Sequence, residues 1–351
     1  MKKRILFLIS DTGGGHRASA RAIDEAIQHL YPDQFDTIIE DIFEHTPWPF
    51  RTMPEAYSWL IGPGLPLWKS IWLAARFPRM SVKFVTSTYP LLKQGMTSYL
   101  RRIQPDLIVS VHPLTNHLGV RMAKAAALGH VPFITVVTDM VSIHPTWICP
   151  DVTACIVPTD LAYDQAIAHG ISPKKVTVHG QPVSLKFTDI ESDKIKLRQK
   201  LNLDVERDTV LIVGGGEGFG QVFETARSIA QTVPTAQLLV VAGRNETLKT
   251  ELDVVTWEIP THIYGFVDNM PELMAASDVL VTKAGPGTIC EAFIAGLPPL
   301  LSWYIPGQEA GNVTYVTHNN AGAFVESPLS IAQTVQTWLS QNETLRELTE
   351  N

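Results

Sequence analysis

The stretch Lys283–Asn312, KAGPGTICEAFIAGLPPLLSWYIPGQEAGN, decides how this chain is read. It follows an apolar run, Val279–Thr282, and its Lys283-Ala284-Gly285-Pro286-Gly287-Thr288 corner leads into a helical pattern. Backbone N–H groups at such a strand-to-helix junction can face an anion, and a diphosphate suits it. Further on, Gly307-Gln308-Glu309-Ala310-Gly311-Asn312 offers a carboxylate, two amides and two glycines, whose hydrogen bonds to hydroxyl groups have fixed direction. The two segments together hold the residue types of a sugar-nucleotide pocket.

Outward from that corner, apolar runs alternate with helical patterns along most of the chain. Arg4–Ile9 reads as a first strand, Asp11–His16 as a glycine turn and Arg17–Leu30 as a helix with an inward apolar face. Phe35–Ile42 follows as a second strand and its exit. After an interruption come helix Leu91–Ile103, strand Leu107–Val111, helix Gly119–Ala127, strands Phe133–Val137 and Thr153–Val157, helix Asp160–His169 and strand Val176–Val178. Gly180–Leu203 turns polar after Pro182, with a short helix expected over Ser192–Leu203, and reads as a boundary. A second series has strands at Thr209–Val213, Gln237–Ala242, Thr261–Gly265, Val279–Thr282, Pro299–Leu301 and Ala323–Val325. Apolar runs without alternation belong in parallel sheets covered on both faces. The expected fold is therefore α/β, with two doubly wound Rossmann-like domains facing each other across a cleft. Residues 1–185 would form the first domain and 186–329 the second. The tail, 330–351, is expected to be helical.

With 351 residues and 45% hydrophobic content, the chain can bury two cores. Cys149, Cys155 and Cys290 offer neither a disulfide framework nor paired metal spacing, which fits a reducing compartment. The apolar run ending at Ile9 is brief and gives way to Asp11 and glycines, so it reads as a strand rather than a signal segment. No run reaches the roughly 18 uncharged apolar residues that a membrane span needs. Met1–Leu185 carries 17 Lys and Arg against 14 Asp and Glu, whereas the remainder carries 11 against 21. The interrupting segment is the most basic: within Thr46–Ile103, eight Lys and Arg face only Glu55. Trp48, Trp59, Trp68, Trp72 and Phe77 lie among those charges, with Lys69 and Arg76. Aromatic anchors mixed with positive charge suit an anionic membrane surface; the alternative is a helical insertion whose aromatics pack inward. An acidic chain with no stacking module argues against nucleic acid, and neither glycine run follows the dinucleotide spacing.

Several of these segments resemble the monogalactosyldiacylglycerol synthase and diacylglycerol glycosyltransferase group, which is related to the murein N-acetylglucosaminyltransferase. The likeness rests on Gly13-Gly14-Gly15-His16-Arg17-Ala18-Ser19-Ala20, Val137-Thr138-Asp139, His144-Pro145-Thr146-Trp147, Gly214-Gly215-Gly216-Glu217-Gly218, Gly243-Arg244-Asn245, Gly265-Phe266-Val267 and Gly307–Asn312, and it covers nearly the whole chain. It implies a GT-B type transferase in which a hexose from UDP-galactose or UDP-glucose passes to 1,2-diacylglycerol with inversion. It also implies a peripheral protein on the cytoplasmic face of a membrane. In glycosyltransferases of this kind the C-terminal helix tends to pack back toward the first domain.

On the residues alone, His16 is either a general base or a packed hydrogen-bonding histidine; the resemblance implies the base, brought to the acceptor by Gly14 and Gly15. Asp139 would orient that base or hold the acceptor hydroxyl, or simply cap the next turn. His144 and Trp147 look like an acceptor loop. On the donor side, Gly215 and Gly216 can bring amides to phosphate, and Arg244 can balance its charge. Phe266 and Val267 would line the base pocket, with Gly285, Gly287 and Thr288 at the diphosphate. The resemblance places Glu291 on the ribose; Gln308 and Glu309, with Asn312, would meet the hexose. His112, His117, His144 and Asp139 come from separate loops with no metal-ligand spacing, and no Asp-x-Asp pair is present, so no metal or other cofactor is expected. The alternatives are another acceptor, a UDP-sugar epimerase or a noncatalytic nucleotide-sugar binder.

Overall fold

Continuous apolar strands build two six-stranded sheets, each wholly parallel. The computed structural model describes all residues except Met1, Gly13, Arg76, Ser192, Glu217, Phe219 and Asn351; the side chains of Pro54, Ser58, Ala74, Ala75, Pro78 and Asn342 also lie outside the description. The first sheet holds β1 (Lys3–Ile9), β2 (Phe35–Asp41), β3 (Leu107–Ser110), β4 (Phe133–Val136), β5 (Ala154–Val157) and β6 (Val176–Val178), in the order β2-β1-β3-β4-β5-β6. The second holds β7 (Asp208–Val213), β8 (Ala236–Val241), β9 (Thr261–Tyr264), β10 (Val279–Lys283), β11 (Pro299–Trp303) and β12 (Ala323–Phe324), in the order β12-β11-β10-β7-β8-β9.

The period of two along β1 divides its buried residues between two cores. Leu6 and Leu8 join Ile108 on one face, under Met96 and Leu100 of helix Tyr89–Ile103 and Leu118 and Met122 of helix Pro113–Ala125. Ile5, Phe7 and Ile9 join Val109 on the other, under Ala20, Ile23 and Ile27 of helix Gly15–Leu30. Each such side chain, fully buried, stabilises the fold by roughly 1.5–3 kcal/mol, so β1 is a main source of cohesion. In the second sheet, Val210 and Ile212 pack with Val222, Ala226 and Ile229 of helix Val222–Thr232.

Contacts divide the chain into Met1–Leu185 with Pro306–Gln308, and Lys186–Ile305 with Glu309–Asn351. The segment opening the second unit is pinned by charge. Asp278, before β10, receives Lys194 at 2.8 Å, Arg198 at 2.5 Å and the Thr209 amide at 2.7 Å. The tail forms helices Pro328–Ser340 and Asn342–Glu350 in the second unit. Its apolar face, Ile331, Ala332, Val335 and Trp338, is spent in that unit's core.

A helix start differs from the one expected. The helix placed at Gly119–Ala127 begins at Pro113, because His112 caps it and proline suits the first helical position. The interrupting segment folds, as expected, into short helices, Met53–Ile61, Leu65–Ala75 and Pro78–Ser87. Among the described residues no helix is long and apolar enough to cross a membrane, and the three cysteines are free.

Gly95, on helix Tyr89–Ile103, lies so close to the chain entering this segment that a Cβ there would land on the His45 carbonyl oxygen. Gly95→Ala should lower stability by about 3 kcal/mol, read as a shifted denaturant midpoint. Gly15→Ala, where the added carbon meets open space, should move it by less than about 1 kcal/mol. Equal stability of the two variants would disprove the close packing.

Candidate active site

In each sheet the strand order reverses once, between β1 and β3 and between β7 and β10. Loops leaving the carboxyl ends of those strands run to opposite sides and leave room between them for a ligand. The polar residues singled out from sequence gather on these loops.

In the first unit, β1 leads into a turn in which Gly14 adopts a left-handed φ of 78° and ends at the start of helix Gly15–Leu30. This sets the partly buried His16 in the first turn of the helix. Its Nδ1 lies 3.0 Å from the Thr138 hydroxyl, and the Val111 carbonyl accepts from its ring. His112 meets it edge to face, with ring centroids 4.5 Å apart. Burial drives the His16 pKa down to about 4, against smaller upward pulls from the Val111 carbonyl and Asp11. The imidazole is therefore neutral at neutral pH and able to accept a proton. Asp11 is itself held firmly: its amide donates to Asp41 at 2.8 Å, and Arg17 grips its carboxylate through two bonds of 2.6 Å.

Asp139 is buried, and the Trp147 indole donates to it at 2.6 Å. The hydroxyl at His16 comes from its neighbour Thr138. Trp147 is 0% exposed and belongs to the core, so it supports Asp139 and presents no face to an acceptor, contrary to the expectation from sequence. The apolar bulk that suggested lipid contact is used for packing. His144 caps the short turn Pro145–Trp147 through Thr146, and its ring lies 5.0 Å from that of Trp72. Both line a cavity of about 590 Å³ with Lys69, Leu73, Gln165 and Gly307.

The aromatic insertion divides in two. Trp59 is 56% exposed, alongside exposed Trp48, Leu73, Phe77, Met80 and Phe84. Trp68 and Trp72 are partly buried: the Trp68 indole donates to the Pro306 carbonyl at 3.2 Å, and Trp72 lies against Gly307. Those two were expected to anchor a membrane and instead hold a loop. Tyr57, unnoticed in the sequence, donates to Gln308 at 3.0 Å. Lys69 is exposed; Arg76, Gly13 and Glu217 lie outside the described residues.

In the second unit, Gly215 and Gly243 have left-handed φ values of 74° and 64°, and the Arg244 amide donates to the Gly216 carbonyl at 2.8 Å, tying two loops together. The Arg244 guanidinium lies 4.9 Å from the centre of the exposed Phe266 ring; Val267 beside it is partly buried. Helix Pro286–Ile294 starts at Gly285, no side chain caps its first amides, and a Cβ on Gly287, before Thr288, would meet nothing. Lys283 was not assigned a role from sequence. Its side chain passes so near that a Cβ on Gly215 would lie 3.0 Å from its Cε and one on Gly285 2.9 Å from its Nζ. It is the cation of this corner, and its position at the end of β10 was the available signal.

Lys283 Nζ pairs with Glu309 Oε1 at 2.5 Å, while Glu309 Oε2 accepts the Ile305 amide at 2.9 Å. Only 3% exposed, Glu309 holds Lys283 and the loop rather than reaching outward to a hexose, as sequence had suggested. Asn312 donates to the Ala284 carbonyl at 2.9 Å, and its buried Oδ1 has no partner among the described residues. Burial pushes the Glu291 carboxyl up to about 7. Among the described residues no three His, Cys, Asp or Glu side chains form a group able to hold a metal ion.

The monogalactosyldiacylglycerol (MGDG) synthase family model matches residues 16–183, and the glycosyltransferase family 28 C-terminal domain matches 209–351. Spinach (Spinacia oleracea) chloroplast monogalactosyldiacylglycerol synthase is 41% identical over 96% of this chain and 66% of its own length. Monogalactosyldiacylglycerol synthase 2 of Arabidopsis thaliana is 38% identical over 99% of this chain and 76% of its own. The chain thus spans about two thirds of the spinach relative. The crystal structure of Anabaena HepE with UDP and glucose superposes with a TM-score of 0.56 at 16% identity, covering 99% of this chain and 93% of that one. The two Rossmann-like sheets are those of the GT-B fold.

Removing Lys283 leaves the buried Glu309 carboxylate without its cation in a low dielectric, with only the Ile305 amide to meet it. Lys283→Met should cost about 3–5 kcal/mol of stability, measured by thermal denaturation. Adding Glu309→Gln should restore most of it. A double variant no more stable than Lys283→Met would show that the ion pair is not what holds the loop.

Proposed function

Because the chain belongs to the monogalactosyldiacylglycerol synthase family, we propose that it transfers a hexose from UDP-galactose or UDP-glucose to the free hydroxyl of a 1,2-diacylglycerol. The products are a β-monoglycosyldiacylglycerol and UDP. The observation that carries this reading is the neutral imidazole of His16, fixed at the carboxyl edge of the first sheet.

The Thr138 hydroxyl and Val111 carbonyl hold the His16 ring in place, and a neutral imidazole has one N–H and one basic nitrogen. That nitrogen takes the proton of the acceptor hydroxyl as its oxygen bonds to the anomeric carbon. The bond from that carbon to the diphosphate breaks, and its electron pair leaves on UDP. Modest basicity suits an alcohol whose acidity rises only as the new bond forms. The leaving charge is met by Lys283 and the first amides of helix Pro286–Ile294, with Arg244 beside them. One displacement inverts an α-linked donor to a β-glycoside. Glu291 sits one turn into that helix, where a ribose would lie, and Gln308 and Asn312 are the groups left to read the hexose.

A lipid acceptor has to be met at a membrane. Exposed Leu73, Phe77, Met80 and Phe84 lie among exposed Lys69, Arg79, Lys83 and Lys93. Apolar side chains can enter the headgroup region while the cations meet anionic lipid. We place the protein peripherally, at the cytoplasmic face.

The deciding assay supplies diacylglycerol vesicles and either UDP-sugar, with product and anomeric configuration identified. Conversion of the UDP-sugar without any acceptor would favour an epimerase, and a retained configuration would end the single-displacement scheme. His16→Ala should lower kcat by about 10²–10⁴ while UDP affinity stays within a few-fold. In the native chain kcat/KM should stay level as pH falls through the ordinary histidine range and decline only toward the His16 value of about 4. An acid limb near 6.5 would assign the base elsewhere. Burial of this neutral ring also costs stability on acidification, because the unfolded chain binds the proton first as pH falls from 6.5 to about 4.

Phe77→Glu with Phe84→Glu should weaken binding to anionic vesicles at least about tenfold, each exposed ring being worth about 1.5 kcal/mol or more when buried. UDP affinity in solution should remain. Unaltered vesicle binding would remove these helices from the membrane contact.

A further inference from the structure

His112 is fully wired, and the wiring determines what its neighbour can do. Its Nδ1 faces the Leu114 amide at 3.3 Å, capping helix Pro113–Ala125. An amide N–H only donates, so Nδ1 must accept and the proton of the neutral ring sits on Nε2. Nε2 lies 3.1 Å from the Thr12 hydroxyl oxygen, which therefore accepts that proton. Burial and the nearby His16 both hold His112 in the neutral form, so the pattern persists at neutral pH. The His112 backbone is held as well, Thr115 and Asn116 both donating to its carbonyl.

Two consequences follow for the chemistry. His112 has no basic nitrogen to offer, so it cannot replace His16 as the base. The Thr12 O–H, meanwhile, is left over: with one lone pair pinned by His112, the hydroxyl has no other partner among the described residues. Thr12 lies in the same turn as His16, and the His112 and His16 rings touch edge to face. The turn therefore carries a basic imidazole and an O–H donor, linked through the His112 ring.

Given the transferase reading above, we propose that Thr12 binds the acceptor by donating to the ester carbonyl next to the hydroxyl that is glycosylated, with His112 as its positioning residue. In a 1,2-diacylglycerol that ester is borne by the glycerol carbon adjacent to the one that carries the attacking hydroxyl. A carbonyl oxygen can only accept, which matches a hydroxyl left only to donate. The pair thus selects acyl esters over alkyl ethers.

The test compares 1,2-diacylglycerol with 1-acyl-2-O-alkylglycerol in the same mixed micelles, by kcat/KM, for the native chain, Thr12→Val, Thr12→Ser and His112→Leu. The native chain should prefer the ester by roughly three- to tenfold, the range for one neutral hydrogen bond. Thr12→Val should bring the ratio near unity with the UDP-sugar KM within about twofold, Thr12→Ser should restore the preference, and His112→Leu should reduce it. If Thr12→Val lowers both acceptors equally, or the native chain shows no ester preference, the assignment of Thr12 is overturned while the transferase reading stands. If the native chain glycosylates neither lipid, both fall. Thr12→Ser keeps the test decisive should His112→Leu fail to fold, because the hydroxyl then varies without disturbing the buried ring.

Discussion

A parallel sheet whose strand order reverses must part its loops at the reversal, and in both units that parting decides where polar groups collect. After β1, β3 and β4 come Thr12 and His16, then Val111 and His112, then Thr138 and Asp139. After β7, β8, β10 and β11 come Gly215 and Gly216, Arg244, Ala284 to Gly287, and Glu309. Strands buried on both faces leave their polar groups to the ends, and at the reversal the parted loops keep backbone amides and polar side chains open to a ligand.

The same burial has opposite electrostatic results in the two units. In the first it removes charge: burial keeps both His16 and His112 neutral, and the nearby His16 adds to the effect on His112. A base is thereby kept free. In the second it retains charge, because Lys283 and Glu309 lie within 2.5 Å and Glu309 also takes a backbone amide. A cation is held rigidly beside uncapped helix amides, where an anionic leaving group would develop charge.

The insertion between β2 and β3 shows how alike residues part ways. Trp48 and Trp59 remain exposed, whereas Trp68 and Trp72 close on Pro306 and Gly307. Gly307 accommodates this with a φ of 87° and no side chain to collide with the Trp72 ring. An exposed apolar and basic surface and a loop clamp thus share one set of helices.

Much of this was legible in the residues. Unbroken apolar runs followed by glycine turns specify parallel strands and their loops, since hydrophobic period and φ > 0 requirements are local properties; β1, the Gly14 turn and the Gly285 corner are read directly. Helix starts were less legible, as at Pro113, because a cap is a contact made by one side chain. What each polar side chain does depended on neighbours distant in sequence. Trp147 proved to be core and Glu309 a partner for Lys283, the Thr138 hydroxyl met His16, and the proton on His112 followed from Leu114 and Thr12. Composition and spacing determined which chemistry was present; only tertiary packing decided which groups were charged, which were spent on one another and which were left free, since desolvation and hydrogen bonding act through space and not along the chain.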